Sequence, residues 1–392
     1  MSPSNKIFEH LFVLEMANNH WGSVERGKRI IHDFSRIARY NNVRAAIKLQ
    51  FRDVDNFIHP EWRDRRDIRY ISKTLDTRMP KDDLRTLVDA VRAGGCVTMS
   101  TPFDEASVDT CVELGVDIIK IASSDICDWF LIERIAKTKK PVIFSTGGSS
   151  LKDIDDMVTF FERRGIPLAI NHCVSIYPSE QADLELNQID FLRERYPNHV
   201  IGFSTHEYED WQASVQMAYA KGARTFERHI DIDADGIPVS PYCTLPHQCD
   251  EWFKAYNKAR EMCGGSGGER RSLPSKEVTY LDGLVRGVYA KRDLPAGVPL
   301  TEDDVFLAIP LQKGQLSPRE FMHGQVLQAP VGAGKSITIS DVDTPYAANE
   351  SLRGMYDNRG VDPMPEAQPQ RDEDVLDELA ASAHRDRDPD RR

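Results

Sequence analysis

The sequence predicts a (β/α)8 barrel followed by a small β-rich domain. Three observations carry that expectation. Eight short runs rich in Val, Ile, Leu and Phe recur before Cys263, each followed by a helical pattern. The runs do not alternate cleanly between apolar and polar residues, as expected of parallel strands buried on both faces. No G-x-G-x-x-G follows the first run, which sets aside a doubly wound open sheet.

In chain order the predicted strands are Leu11–Ala17, Ala45–Phe51, Val97–Phe103, Ile118–Ser123, Pro141–Thr146, Leu168–Ser175, Val200–His206 and Arg224–Ile232. Apolar residues at helical spacing predict helices over Val24–Tyr40, Lys81–Gly94, Glu105–Leu114, Trp129–Lys137, Ser150–Arg164, Glu185–Tyr196, Asp210–Ala220 and Gln248–Cys263. Capping residues in Thr101–Asp104 and Ser149–Asp153 mark two of the helix starts. The barrel is expected over residues 1–263. The glycine-rich run Gly264–Gly268 opens a linker, 264–280. Beyond it Gly297–Val305 repeats as Gly334–Val342 at the Gly, Thr, Asp and Val positions, which predicts short strands and turns over 281–345. Gly334-Lys335-Ser336 is not a P-loop, because Ala329 stands where its first glycine belongs. Residues 346–392 are rich in Pro, Asp, Arg and Glu and are expected to be disordered, with a short helix at Leu376–Ala383.

The net charge of −12 argues against a nucleic-acid partner. No run is long enough to span a bilayer, so no membrane association is expected. Seven cysteines, an odd number without C-x-x-C spacing, predict reduced thiols and a cytoplasmic location.

Active sites of this fold lie at the C-terminal ends of the strands. Those ends carry Glu15, Lys48 with Gln50, Thr101, Lys120 with Ser123, Ser145 and Thr146, Ser175, His206 and His229. The stretch Val200–Asp231 reads as strand, helix, strand, with a histidine near the end of each strand. A right-handed crossover makes such strands parallel, so two imidazoles would project from one rim, as a divalent-metal site needs. Lys48 and Lys120 interrupt apolar strands, and a charge there is costly unless paired or functional.

The order and spacing of LEMANNHWG (Leu14–Gly22), IKLQ (Ile47–Gln50), STPFD (Ser100–Asp104), IKIASSD (Ile119–Asp125), STGGSS (Ser145–Ser150), HCVSIYP (His172–Pro178), GFSTHE (Gly202–Glu207) and ERH (Glu227–His229) resemble the sialic acid synthase family. VRGVYAKRDLPAG (Val285–Gly297) resembles that family's C-terminal antifreeze-like module. The family condenses phosphoenolpyruvate with N-acylmannosamine-type sugar aldehydes. The resemblance implies that His206 and His229 hold manganese or magnesium. It implies that Lys48, Thr101, Lys120, Ser123, Ser175 and Ser204 bind phosphoenolpyruvate. Glu15, Gln50 and Tyr177 would lie beside the substrates. It further implies a domain-swapped homodimer in which Arg286 reaches the sugar in the partner subunit's barrel. Two departures bear on the acceptor: Ser204-Thr205-His206 replaces the usual Ser-Asp-His, and Ser240-Pro241-Tyr242 replaces an Asp-His-Lys run. Two other readings compete. One is a Schiff-base aldolase with Lys120 as nucleophile. The other is a degenerate homologue that binds a sugar acid without turnover.

Overall fold

A computed structural model describes residues 3–265, 270–344, 349–351, 354 and 358–363. The chain divides into two compact units, Met1–Gly265 and Ser266–Arg392. In the first unit eight parallel strands run in sequence order: β1 (Leu11–Ala17), β2 (Arg44–Phe51), β3 (Val97–Pro102), β4 (Ile118–Ile121), β5 (Val142–Ser145), β6 (Leu168–Cys173), β7 (Val200–Ser204) and β8 (Thr225–Ile230). Pairing of β1 with β8 closes the barrel, and the short β9 (Cys243–Thr244) adds to β8.

The helices are α1 (Val24–Tyr40), α2 (Val54–Phe57), α3 (Arg69–Asp76), α4 (Lys81–Ala93), α5 (Glu105–Glu113), α6 (Trp129–Lys137), α7 (Leu151–Glu162), α8 (Asn187–Arg195), α9 (Trp211–Ala220) and α10 (Pro246–Cys263). The expected caps are present. Asp104 accepts from the Ser107 N–H at 2.7 Å, and Ser150 and Asp153 close a reciprocal capping box. Strands β1 and β2 end where predicted, and β3 to β8 stop one or two residues earlier, because polar residues at their ends turn into loops. Ser123 opens a 3-10 turn, Ser175 follows β6 and His206 follows β7.

Two apolar layers account for the barrel's stability. Outward strand residues such as Phe12, Ile47, Ile119, Phe144 and Phe226 pack against the helices. Inside, Val13, Ala46, Met99, Ile118, Ile143, Ala169 and Val200 form a plug with Phe8 and Leu11. Successive side chains of a strand alternate between faces, so the residue two positions on also points inward. Those residues include Glu15, Lys48, Thr101, Lys120, Ser145, Asn171 and Gly202. The interior thus changes from apolar to polar within one layer.

In the second unit β10 (Gly287–Ala290) pairs antiparallel with β11 (Val305–Ala308) over a core of Val288, Leu294, Leu300, Leu316 and Ile337. Helix α11 (Ser275–Asp282) occupies the end of the predicted linker. The expected disordered tail falls largely outside the described residues, as does the helix expected at Leu376–Ala383. Residues 358–363 correct that expectation: Val361 bridges Gln312, its N–H bonds the Leu311 carbonyl at 2.9 Å, and Arg359 pairs with Asp282 at 2.8 Å.

Candidate active site

A cavity of about 730 Å³ opens at the C-terminal ends of the barrel strands. The residues singled out above that line it include Glu15, Lys48, Gln50, Thr101, Lys120, Ser123, Ser145, Ser175, Tyr177, Ser204, His206 and His229. Arg286 lies in the second unit, exposed, just before β10. Strand register brings the charged set together, since Glu15 stands opposite Lys48 on β2 and opposite His229 on β8.

Glu227 is the organising group of the floor. Its Oε1 accepts from Lys48 Nζ at 2.7 Å, and its Oε2 accepts from Lys120 Nζ at 2.8 Å and from Asn171 Nδ2 at 3.1 Å. Burial alone would raise its carboxyl, but the Lys120 and Lys48 ammonium groups outweigh burial and hold it well below the usual range. Lys48 also pairs with Glu15. Burial pushes the Lys48 ammonium down to about 8 against the pull of Glu227. Glu15 Oε1 and Thr101 Oγ1 are buried with no hydrogen-bond partner, although both side chains line the cavity.

The two histidines face each other above this floor, with ring centroids 5.5 Å apart. His206 Nδ1 lies 3.0 Å from the Val174 carbonyl, which can only accept, so Nδ1 carries the proton and Nε2 keeps its lone pair. Burial lowers His206 to about 4 and His229 well below its usual value, so both rings are neutral at pH 7. Neutral imidazoles with one ring nitrogen fixed by a carbonyl are the form in which histidine ligates a divalent ion. Among the described residues no group of three or more His, Cys, Asp or Glu could hold a metal ion. Tyr177 lies with its ring centroid 3.8 Å from that of His206, and Tyr242 lies 5.2 Å from His229.

The two sequence departures have structural counterparts. Thr205 donates to Glu207, which also accepts from Ser214 and pairs with Arg228 at 2.7 Å. A buried carboxylate therefore stands two residues after the position where the resemblance leads one to expect it. Tyr242 lines the cavity in place of a charged run.

Sequence reasoning missed the role of Glu227, although it lies two positions before His229 and so on the same inward face. It also missed the wall built by the segment between β2 and α4, which contributes Arg52, Phe57, Arg69, Tyr70 and Lys73. Arg52 stacks on Phe103, 3.7 Å from the ring centroid, and bonds Gln50 at 3.0 Å. Burial pushes its guanidinium down to about 10 and raises the Asp125 carboxyl, also in the wall, to about 6.

Comparison with known proteins identifies the family. The model of the NeuB family matches residues 40–266, and that of the SAF domain matches residues 285–343. The pseudaminic acid synthase of Campylobacter jejuni is 27% identical over 301 residues, spanning 75% of this chain and 85% of that protein. A crystal structure from Chromobacterium violaceum, provisionally assigned as spore coat polysaccharide biosynthesis protein E, superposes with a TM-score of 0.82 at 37% identity, covering 86% of this chain and 100% of that one. The N-acetylneuraminic acid synthetase of Leptospira borgpetersenii superposes with a TM-score of 0.61 at 25% identity, covering 70% of this chain and 91% of that one. With its family match over most of the barrel and a relative of this similarity over its length, the chain belongs to the NeuB family and carries a SAF domain after its barrel.

Proposed function

We propose that the chain condenses phosphoenolpyruvate with the open-chain form of an N-acylmannosamine-type sugar, giving a 2-keto-3-deoxy sugar acid and phosphate. The observation that carries this reading is one cavity holding two buried, carboxylate-clamped ammonium groups, a ring of hydroxyls and two neutral imidazoles. Phosphoenolpyruvate carries a carboxylate and a phosphate. Lys48 and Lys120 supply fixed cations for them, and Thr101, Ser123, Ser175 and Ser204 supply hydroxyl donors. The enol carbon bonds to the aldehyde carbon, and the aldehyde oxygen takes a proton to become a hydroxyl. Water adds at the phosphate-bearing carbon, phosphate leaves and the keto group forms. Glu15, with one buried oxygen unpartnered, holds or takes a proton at the reacting oxygens. Gln50 and Tyr177 orient the sugar. Manganese or magnesium held by His206 and His229 would supply Lewis-acid polarisation of the aldehyde. Seven unpaired thiols support a cytoplasmic setting. Among the described residues no helix is long and apolar enough to cross a membrane.

The test is inorganic phosphate release from phosphoenolpyruvate with manganese and a panel of N-acyl hexosamines. Release that depends on the acceptor and is abolished in His229→Ala is expected; full activity of EDTA-treated His229→Ala would refute the metal assignment. A Schiff-base aldolase remains the alternative chemistry for Lys120. The bond from Lys120 to Glu227 opposes it, because the amine is engaged by a carboxylate rather than free. Borohydride trapping of a pyruvate adduct on Lys120 would favour the aldolase.

A further inference from the structure

Helix α3 places Arg69, Tyr70, Lys73 and Thr74 on the cavity wall. Arg69 and Lys73 are four residues apart and share one helix face. Three other cations of this segment have carboxylate partners, Arg65 on Asp67 at 2.7 Å, Arg66 on Asp76 at 2.5 Å and Arg78 on Asp55, while Arg52 donates to Gln50 and Arg63 to the Asp55 carbonyl. Among the described residues no carboxylate pairs with Arg69 or Lys73. Lys73 is half-buried, with its ammonium 5.9 Å from the centre of the Trp21 ring, and burial lowers its pKa. A cation without an ion-pair partner in a partly desolvated wall is costly, and an anion entering the cavity offsets that cost.

The position of these cations favours one source for the anion. Trp21 belongs to the loop after β1. Asp231, whose carboxylate charge acts on Lys73, follows β8. The cations therefore stand on the side of His229 and Tyr242. Lys120, Ser123 and Ser175 belong to β4 and to the loops after β4 and β6, across the closed barrel. With the aldehyde at the histidines, the remote end of the acceptor extends towards α3.

We propose that Arg69 and Lys73 form a second anion subsite, which takes a phosphate or carboxylate carried by the acceptor sugar at the end remote from its aldehyde. The proposal rests on the condensation reading above. Its test compares N-acetylmannosamine, N-acetylmannosamine 6-phosphate and the corresponding 6-carboxylate as acceptors, with phosphoenolpyruvate and manganese. At least one anionic sugar should exceed the neutral one in kcat/KM by about tenfold or more. Which anion wins identifies the group. The double variant Arg69→Gln, Lys73→Gln should erase the preference, Lys73→Arg should keep much of it, and KM for phosphoenolpyruvate should move by less than about twofold. Equal kcat/KM for neutral and anionic sugars, or a large rise in the phosphoenolpyruvate KM of the double variant, would overturn the subsite. If no acceptor turns over, the condensation reading fails and calorimetry decides the subsite alone. Binding of N-acetylmannosamine 6-phosphate that weakens about tenfold in the double variant upholds it, and equal or absent binding overturns it.

Discussion

At Glu227 one carboxylate accepts from two ammonium groups and an amide, all buried. Removing its charge leaves Lys120 without its carboxylate and Lys48 with Glu15 alone. Breaking a buried pair in this way costs about 3–5 kcal/mol, because the remaining charge is uncompensated. Glu227→Gln should therefore lower the unfolding free energy by about that amount in urea titration and abolish phosphate release; wild-type stability would show that the clamp is energetically idle. His20 offers a separate titration. It is 2% exposed, its Nδ1 accepts from the Gly22 N–H at 3.0 Å, and burial followed by the charge of Lys73 lowers it from 6.5 to about 4. The folded state prefers the neutral ring, so between those values the unfolded chain binds more protons. Its contribution is whole above pH 6.5 and is lost as pH falls towards 4, by about 2 kcal/mol at pH 5. His20→Asn, which keeps an acceptor without the titration, should flatten the difference in unfolding free energy between pH 7.5 and 5. An unchanged slope would assign the acid loss to other groups. Lys48, Lys120 and the histidines were legible in sequence as polar interruptions of apolar strands. Glu227 was not, because a carboxylate beside an arginine and a histidine also reads as a solvated strand end.

The strands were legible because every barrel strand is a short apolar run, and because the inward positions change chemistry two residues on, from Val13 to Glu15 and from Ala46 to Lys48. Gly202 shows how closely that polar layer is built. A Cβ there would meet Asn171 Oδ1 at 2.1 Å and the Thr225 carbonyl at 2.9 Å. Gly202→Ala should cost about 1–3 kcal/mol in overpacking. Because the same Asn171 bonds Glu227 at 3.1 Å, its kcat should fall as well. A stable variant with unchanged kcat would show that the layer yields without consequence. The repeat was legible for a local reason. Gly297 and Gly334 adopt φ of 81° and 76°, and Thr301 with Asp304, like Thr338 with Asp341, closes a capping box over a 3-10 turn. Helix α3 escaped notice because its eight residues lie in a stretch where Arg and Asp alternate and apolar positions are few. Its position is fixed by the cavity wall and by local ion pairs rather than by a broad apolar face.

On the scale of the whole molecule, the barrel and the SAF domain each have their own apolar core, and the boundary follows the glycine run that marks it in sequence. The segment at residues 358–363 was not foreseen, because an Arg-Asp pair and one backbone bridge leave no apolar signature. What joins the two units in function is proposed to be assembly. Arg286 is an exposed guanidinium at the start of β10, beside apolar Leu284, Val285 and Val288, and a planar fork of donors suits a sugar's acyl carbonyl and hydroxyls. In the proposed two-fold dimer it serves the partner subunit's barrel. Arg286→Ala should raise the acceptor KM or lower kcat while leaving metal binding intact, and Lys120→Ala should be inactive. Mixed in equal amounts with free subunit exchange, half of the dimers are heterodimers. One site in each then combines an intact barrel with an intact Arg286, so about a quarter of wild-type activity should return. An arrangement in which each Arg286 serves its own barrel returns none beyond the residual activity of Arg286→Ala, because no mixed site is then complete. Sedimentation of the wild-type chain supplies the other constraint: a fully active monomer would exclude the dimer and leave Arg286 a surface residue.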